Sequence, residues 1–128
     1  MIVNLTQHPA TPEQSADGVV DLPQAARETL GTLLTFAERP TPEIVVERAE
    51  ALAALAAAHC GENYKVMIGG APYLMAPLES ALRRAGLEPL YAFSIRVSRE
   101  EVREGRVVKT NMFCHAGWVP ACPSPTVD

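Results

Sequence analysis

Aromatic side chains are scarce in this sequence: three Phe, three Tyr and one Trp in 128 residues. A core must therefore be assembled from Ala, Val and Leu, small side chains that let helices approach a sheet closely. A basic excess is also lacking. The formal net charge is −4, whereas a protein that grips a duplex through many phosphates carries a basic balance or stripe. The cations are scattered, with Arg83 and Arg84 together and Arg96, Arg99, Arg103, Arg106 and Lys109 further on. Binding to long duplex nucleic acid is thereby excluded, while a compact anion held by backbone N–H groups and one or two cations is not. Cysteine is sparse. Cys60, Cys114 and Cys122 form an odd set without framework spacing, which suits a reducing compartment.

Neither a charged leader nor an apolar leader segment opens the chain at Met1-Ile2-Val3-Asn4-Leu5-Thr6. The most apolar helix-like stretch, 44–58, is broken by Glu47, Arg48 and Glu50, so no membrane span is expected. The expectation is a cytoplasmic protein without a membrane partner.

Hydrophobic residues make up 48% of the chain, too much for disorder and enough for one domain of ordinary size. Residues 1–119 are expected to form that single α/β domain. Residues 120–128, with Pro120, Pro123 and Pro125, read as a disordered tail.

Residues 2–6 read as a short buried strand. Thr11-Pro12-Glu13-Gln14 is a helix start, with Thr11 as cap, Pro12 in the first helical position and Gln14 completing a capping box. Residues 19–22 form a brief strand or an extended link. Pro23 opens a second helix to about Gly31, with 33–36 extended behind it. Thr41-Pro42-Glu43 repeats the cap ahead of the longest helix, which Gly61 ends. A strand over 65–68, the Gly69-Gly70 turn, a helix over 73–85 closed by Gly86, and a strand over 90–97 make a parallel crossover unit. Glu104-Gly105 then returns the chain as an antiparallel strand over 106–113. The sum is an α/β fold in two or three layers, its sheet mostly parallel with helices on its faces and a C-terminal antiparallel hairpin at the edge.

Three places can carry chemistry. Gly69, Gly70 and Ala71 join a strand to a helix start, where bare backbone N–H groups and the helix dipole favour an anion. The competing reading is a plain turn that needs positive φ. No Walker lysine or full dinucleotide fingerprint accompanies it, so no cofactor is expected. Thr6, Gln7 and His8 leave the first strand, and ligands of open α/β sheets gather outside the carboxyl ends of strands. An imidazole there can exchange a proton near neutral pH, or it can merely brace the turn before Pro9. His115, beside Gly117 and Trp118, reads as a turn packed by an aromatic, with either an acid/base or phosphate role or an ordinary surface position.

Ser94 and Arg96 share a strand face, where Arg96 either neutralises a phosphate or pairs with a carboxylate. Tyr73 and Met75 stack on a base or pack in the core. Metal binding would need His59-Cys60, Cys114-His115 and Cys122 to converge, and those pairs lack zinc spacing. No metal is expected. Cys114 beside His115 does not make a nucleophile pair either, because strand neighbours point to opposite faces.

The run Asn4-Leu5-Thr6-Gln7-His8-Pro9-Ala10-Thr11-Pro12-Glu13-Gln14 resembles the start of small type III CRISPR-associated proteins related to CARF domains, some of which are ring nucleases. That resemblance implies a Rossmann-like homodimer that binds a cyclic oligoadenylate across its twofold axis. It implies roles for Thr6 and His8 in catalysis and for Gln7 in binding. Topology adds Gly69, Gly70, Ala71, Ser94, Arg96 and His115 as ligand contacts. Cleavage by a ribose 2′-OH would need alignment and charge stabilisation but no metal. Two rival expectations stand beside it: a module that sequesters a nucleotide without turnover, and an accessory factor of a mobile element that binds a protein through its hairpin edge.

Overall fold

A computed structural model describes residues 1–61 and 64–122. In chain order the elements are β1 (Ile2–Asn4), α1 (Pro12–Ala16), β2 (Val19–Asp21), α2 (Gln24–Leu34), α3 (Pro42–Cys60), β3 (Lys65–Met67), α4 (Pro72–Arg84), β4 (Glu88–Arg103) and β5 (Arg106–Pro120). The strands form one sheet in the order β2-β1-β3-β4-β5. The first four are mutually parallel, and β5 lies antiparallel to β4 at the edge. This is a Rossmann-like α/β architecture with a C-terminal hairpin.

Helix boundaries follow local chemistry. At α1 the Thr11 hydroxyl accepts from Gln14 N at 3.1 Å while the Gln14 side chain accepts from Thr11 N at 3.1 Å, closing the expected capping box. Thr41 caps α3, with Pro42 in its first turn. Gly86, at φ +79, ends α4. There Leu87 N donates to Leu82 O and Gly86 N to Arg83 O, the paired bonds of a Schellman motif.

Helix α2 runs on to Leu34, past the Gly31 stop read from the sequence. The reason is tertiary. Arg48 of α3 donates to the carbonyls of Thr32, Leu33 and Thr35 at 2.8–3.1 Å, and its guanidinium stacks 4.9 Å from the Phe36 ring. A cation supplied from another helix thus satisfies the last carbonyls.

The core lies between the sheet and α2, α3 and α4, with Leu5, Leu52, Leu74, Leu78 and Leu82 fully or almost fully buried. On the opposite face Ile2, Val19, Met67 and Leu90 form a small second cluster, covered by Ala10 and Trp118.

The hairpin differs most from expectation. The strands read as 90–97 and 106–113 extend over 88–103 and 106–120, so the segment around His115 and Trp118 is strand rather than turn. It stays in register because β5 carries one extra residue. Ala92 faces Trp118 and Ser94 faces His115, and Gly117 takes φ +115 at that bulge. Pro120 closes β5, and Ala121 N donates to Pro89 O at 3.0 Å. The rest of the segment expected to be a disordered tail, 123–128, lies outside the described residues. No helix among the described residues is long and apolar enough to cross a membrane.

Candidate functional site

The site starts from one buried polar residue. Asn4 ends β1 at 3% exposure among apolar neighbours, where an unpaired amide would cost about 1–3 kcal/mol. It is fully employed. Its Nδ2 donates to His8 O at 2.9 Å and to Asp21 Oδ1 at 2.8 Å. Its Oδ1 accepts from Thr6 N at 2.9 Å and from the Thr6 hydroxyl at 2.6 Å. Asp21, at the end of β2, also accepts from Ala10 N at 3.0 Å. One side chain therefore folds the whole exit of β1 into a fixed loop and ties it to the neighbouring strand.

That loop forms one wall of an open crevice of about 240 Å³. Thr6, Gln7 and His8 line it from the loop, Asp21 from β2, and Gln24, Arg27 and Glu28 from the first turns of α2. Pro23 precedes α2 without a side-chain cap, so the helix start is left to other partners. The crevice lies at the carboxyl ends of β1 and β2. The strand order turns back beside it, since β2 and β3 flank β1 on opposite sides.

The expected residues separate into three groups. Thr6, Gln7 and His8 meet in the crevice. Gly69 sits against the same loop, since a Cβ there would come within 3.7 Å of the Thr6 methyl. Gly70, at φ +149, is closed in by Met75 and Leu34, and Ala71 is the residue that precedes α4. None of these three lines the crevice.

Ser94, Arg96 and His115 lie on the hairpin instead. Ser94 faces His115 and Arg96 faces Phe113 in the β4–β5 register. The His115 side chain is 10% exposed, with Nε2 3.0 Å from Asp17 Oδ2. Trp118 Nε1 donates to the same oxygen at 2.9 Å, and His115 N donates to Glu13. These bonds latch the root of the hairpin to α1. The hydrogen bonds from His115 and then Trp118 hold the Asp17 carboxyl below its ordinary value. Tyr73, weighed as a base-stacking group, packs edge-on against Phe36 with ring centroids 5.4 Å apart.

Asn4, Asp21, Gln24, Arg27 and Glu28 are the residues that sequence reasoning passed over. The available signal was Asn4 and Asp21 ending two short apolar strands, which in a parallel pair sets them side by side. Among the described residues no group of three or more His, Cys, Asp or Glu side chains converges to hold a metal.

Fold and site together define a Rossmann-like α/β protein with an open polar crevice at the carboxyl edge of its sheet. The chain belongs to the Uncharacterized protein MJ1673 family, whose model matches residues 1–119. No curated protein and no solved structure matches it.

Proposed function

We propose that the chain binds a cyclic oligoadenylate, or a chemically similar nucleotide signal, in the carboxyl-edge crevice, with two copies sharing one ring as a homodimer. The observation that carries this reading is the Asn4-braced loop, which sets Gln7 and His8 across the crevice from Arg27 and the start of α2. Arg27 offers a cation, and a helix start favours a phosphate. A cyclic oligonucleotide concentrates several phosphates in a compact ring, so it needs no basic groove and is compatible with a net acidic chain. About 240 Å³ falls below the ~300–1,000 Å³ of ordinary small-molecule pockets, so one crevice can take only part of a ring.

For cleavage, the attacking ribose 2′-OH would form a bond to the adjacent phosphorus as the bond from phosphorus to the 5′ oxygen breaks. His8 would take the 2′ proton, and the leaving 5′ oxygen, on the opposite side of the phosphorus, would take a proton from water. The Thr6 hydroxyl lies 2.6 Å from Asn4 Oδ1 and 3.2 Å from His8 O, so its hydrogen is used within the loop and Thr6 acts as a positioning residue. His8 is then the proton carrier. That commitment of Thr6 is also the observation that favours the second reading, a module that binds the ring and leaves it intact.

The test is incubation of the purified chain with cyclic tri-, tetra- and hexa-adenylate without metal, followed by chromatography of products and of protein-retained ligand. Linear products, reduced about a hundredfold or more in His8→Ala, are expected of a nuclease. Intact retained ligand identifies the sequestering module. Neither binding nor cleavage overturns the nucleotide reading.

A further inference from the structure

The β4–β5 hairpin leaves the body of the protein. Leu90 is level with Met67 and Asn4 in the sheet register, and β4 continues to Arg103 paired only with β5. At ~3.3 Å per residue, these thirteen further residues project about 40 Å from the carboxyl edge, the edge that holds the crevice.

This arm is not polar. Nine of the fifteen large apolar residues most exposed among the described residues belong to it. On one face β4 alternates Phe93, Ile95 and Val97 with Ser94, Arg96 and Ser98, the pattern of a strand with one face buried. Cross-strand partners complete that face, Cys114 beside Ile95 and Met112 beside Val97. Phe93, Ile95, Val97 and Met112 are nonetheless 41–48% exposed. A lone two-stranded ribbon is marginal in water, and contiguous apolar patches of this kind mark contact surfaces.

We propose that this face docks on a second copy of the same chain, in the groove between the starts of its α3 and α4. Three observations select that occupant. The groove is mainly apolar, with a volume of about 400 Å³ and a lining of Pro40, Pro42, Val45, Val46, Tyr73 and Pro77 with one cation, Arg39. It also opens at the carboxyl edge, because α4 begins directly after the exit of β3.

Charge complements it. Arg99, Arg103 and Arg106 continue the arm's apolar face toward its tip, where Glu101 offsets them only in part through its pair with Arg103. Glu43 and Glu47 stand exposed on α3, beside Glu50, which lies 3.9 Å from Arg84. From residue 92 to 119 the sequence has five cations and three carboxylates, against six cations and twelve carboxylates elsewhere.

Area is adequate as well. The exposed apolar residues of this one face, together with the groove of the same copy, offer surface on the order of the 800 Å² that each partner contributes to a standard interface. Reciprocal docking of two arms makes a closed twofold dimer and turns the two carboxyl edges toward each other.

This inference supplies the contact surface for the homodimer invoked in the nucleotide reading. Its test uses no nucleotide, so either can fail alone. The full chain is examined by light scattering after size exclusion and by thermal unfolding at several concentrations. The expected result is twice the chain mass and a midpoint that rises with concentration.

Val97→Glu with Met112→Lys replaces an apolar cross-strand pair by an ion pair. It keeps the ribbon but is expected to give a monomer with unchanged far-UV dichroism. Phe113→Ser, on the arm's other face, is expected to stay dimeric. Glu47→Lys with Glu50→Lys, and separately Arg99→Glu with Arg106→Glu, should each weaken the dimer about tenfold or more. The four changes together should restore it. A monomeric wild type, or a dimer that survives Val97→Glu/Met112→Lys, overturns the proposal. Charge reversals that fail to rescue each other overturn the groove as the receiving surface.

Discussion

Asn4 shows how one side chain converts a strand end into a binding wall. Its amide both donates, to Asp21 and His8, and accepts, from Thr6. Replacing it with Asp keeps the shape but sets two carboxylate oxygens about as far apart as the 2.8 Å bond it removes. One of the pair must then hold a proton, so the pair's folded-state pKa is raised. A raised value means stability that is present below the unfolded value of about 3.9 and is lost as pH rises. Asn4→Asp should therefore approach wild type in acid and fall behind by about 2–3 kcal/mol at neutral pH, as read by urea unfolding across pH.

Asp17 has the opposite sign. Its carboxyl is depressed by its bonds to His115 and Trp118, so the latch stabilises above the ordinary value of 3.8 and is lost as pH falls through the depressed folded value. Asp17→Asn should lower the midpoint at neutral pH and blunt the acid sensitivity of the remainder. Equal acid sensitivity in variant and wild type would contradict this account of the latch. At this scale Thr6, Gln7 and His8 were legible because they follow an apolar strand. Arg27 and Gln24 were not, since nothing in a helix start says which loop will stand opposite it.

The elements divide by what ends them. Thr11, Thr41 and Gly86 stop or start helices through bonds within a few residues, Gly61 ends α3 at φ +58, and each was readable from the sequence. The last turn of α2 depends on Arg48, which is distant in the chain, and it was not. The hairpin is the sharper case. Gly117 reads as a turn residue, yet it serves as the extra residue of a bulge. Without it the alternation of β5 would slip by one residue, and Met112 and Cys114 would leave the face of Ile95 and Val97. Nothing lies within 4 Å of where a Cβ would stand at Gly117, so its cost is backbone strain alone. Gly117→Ala should destabilise by about 1–2 kcal/mol and speed amide exchange over 114–119, measured by mass spectrometry. Unchanged exchange there would mean that the bulge does not depend on glycine.

In the whole molecule, a thin second face, a crevice at the carboxyl edge and an arm rising from that same edge concentrate the unfinished surfaces in one region. A ligand bound there stabilises the fold by mass action, with about 2.7 kcal/mol at a hundredfold excess over Kd. Excess cyclic tetra-adenylate should raise the unfolding midpoint of wild type and leave Arg27→Ala nearly unmoved. An equal shift in both would remove Arg27 from the site. The sequence by itself determined the class of fold, the succession of strands and helices along the chain, most helix caps and the exit of β1 as a candidate site. These rest on periodicity and on bonds between near neighbours, which are written locally. Tertiary structure alone decided that Asn4 braces the loop, that His115 turns to Asp17 rather than to the crevice, and that β4 and β5 run on as an arm. Each of these depends on which distant segments meet, and in a sheet that is set by strand order and register rather than by any single stretch of chain.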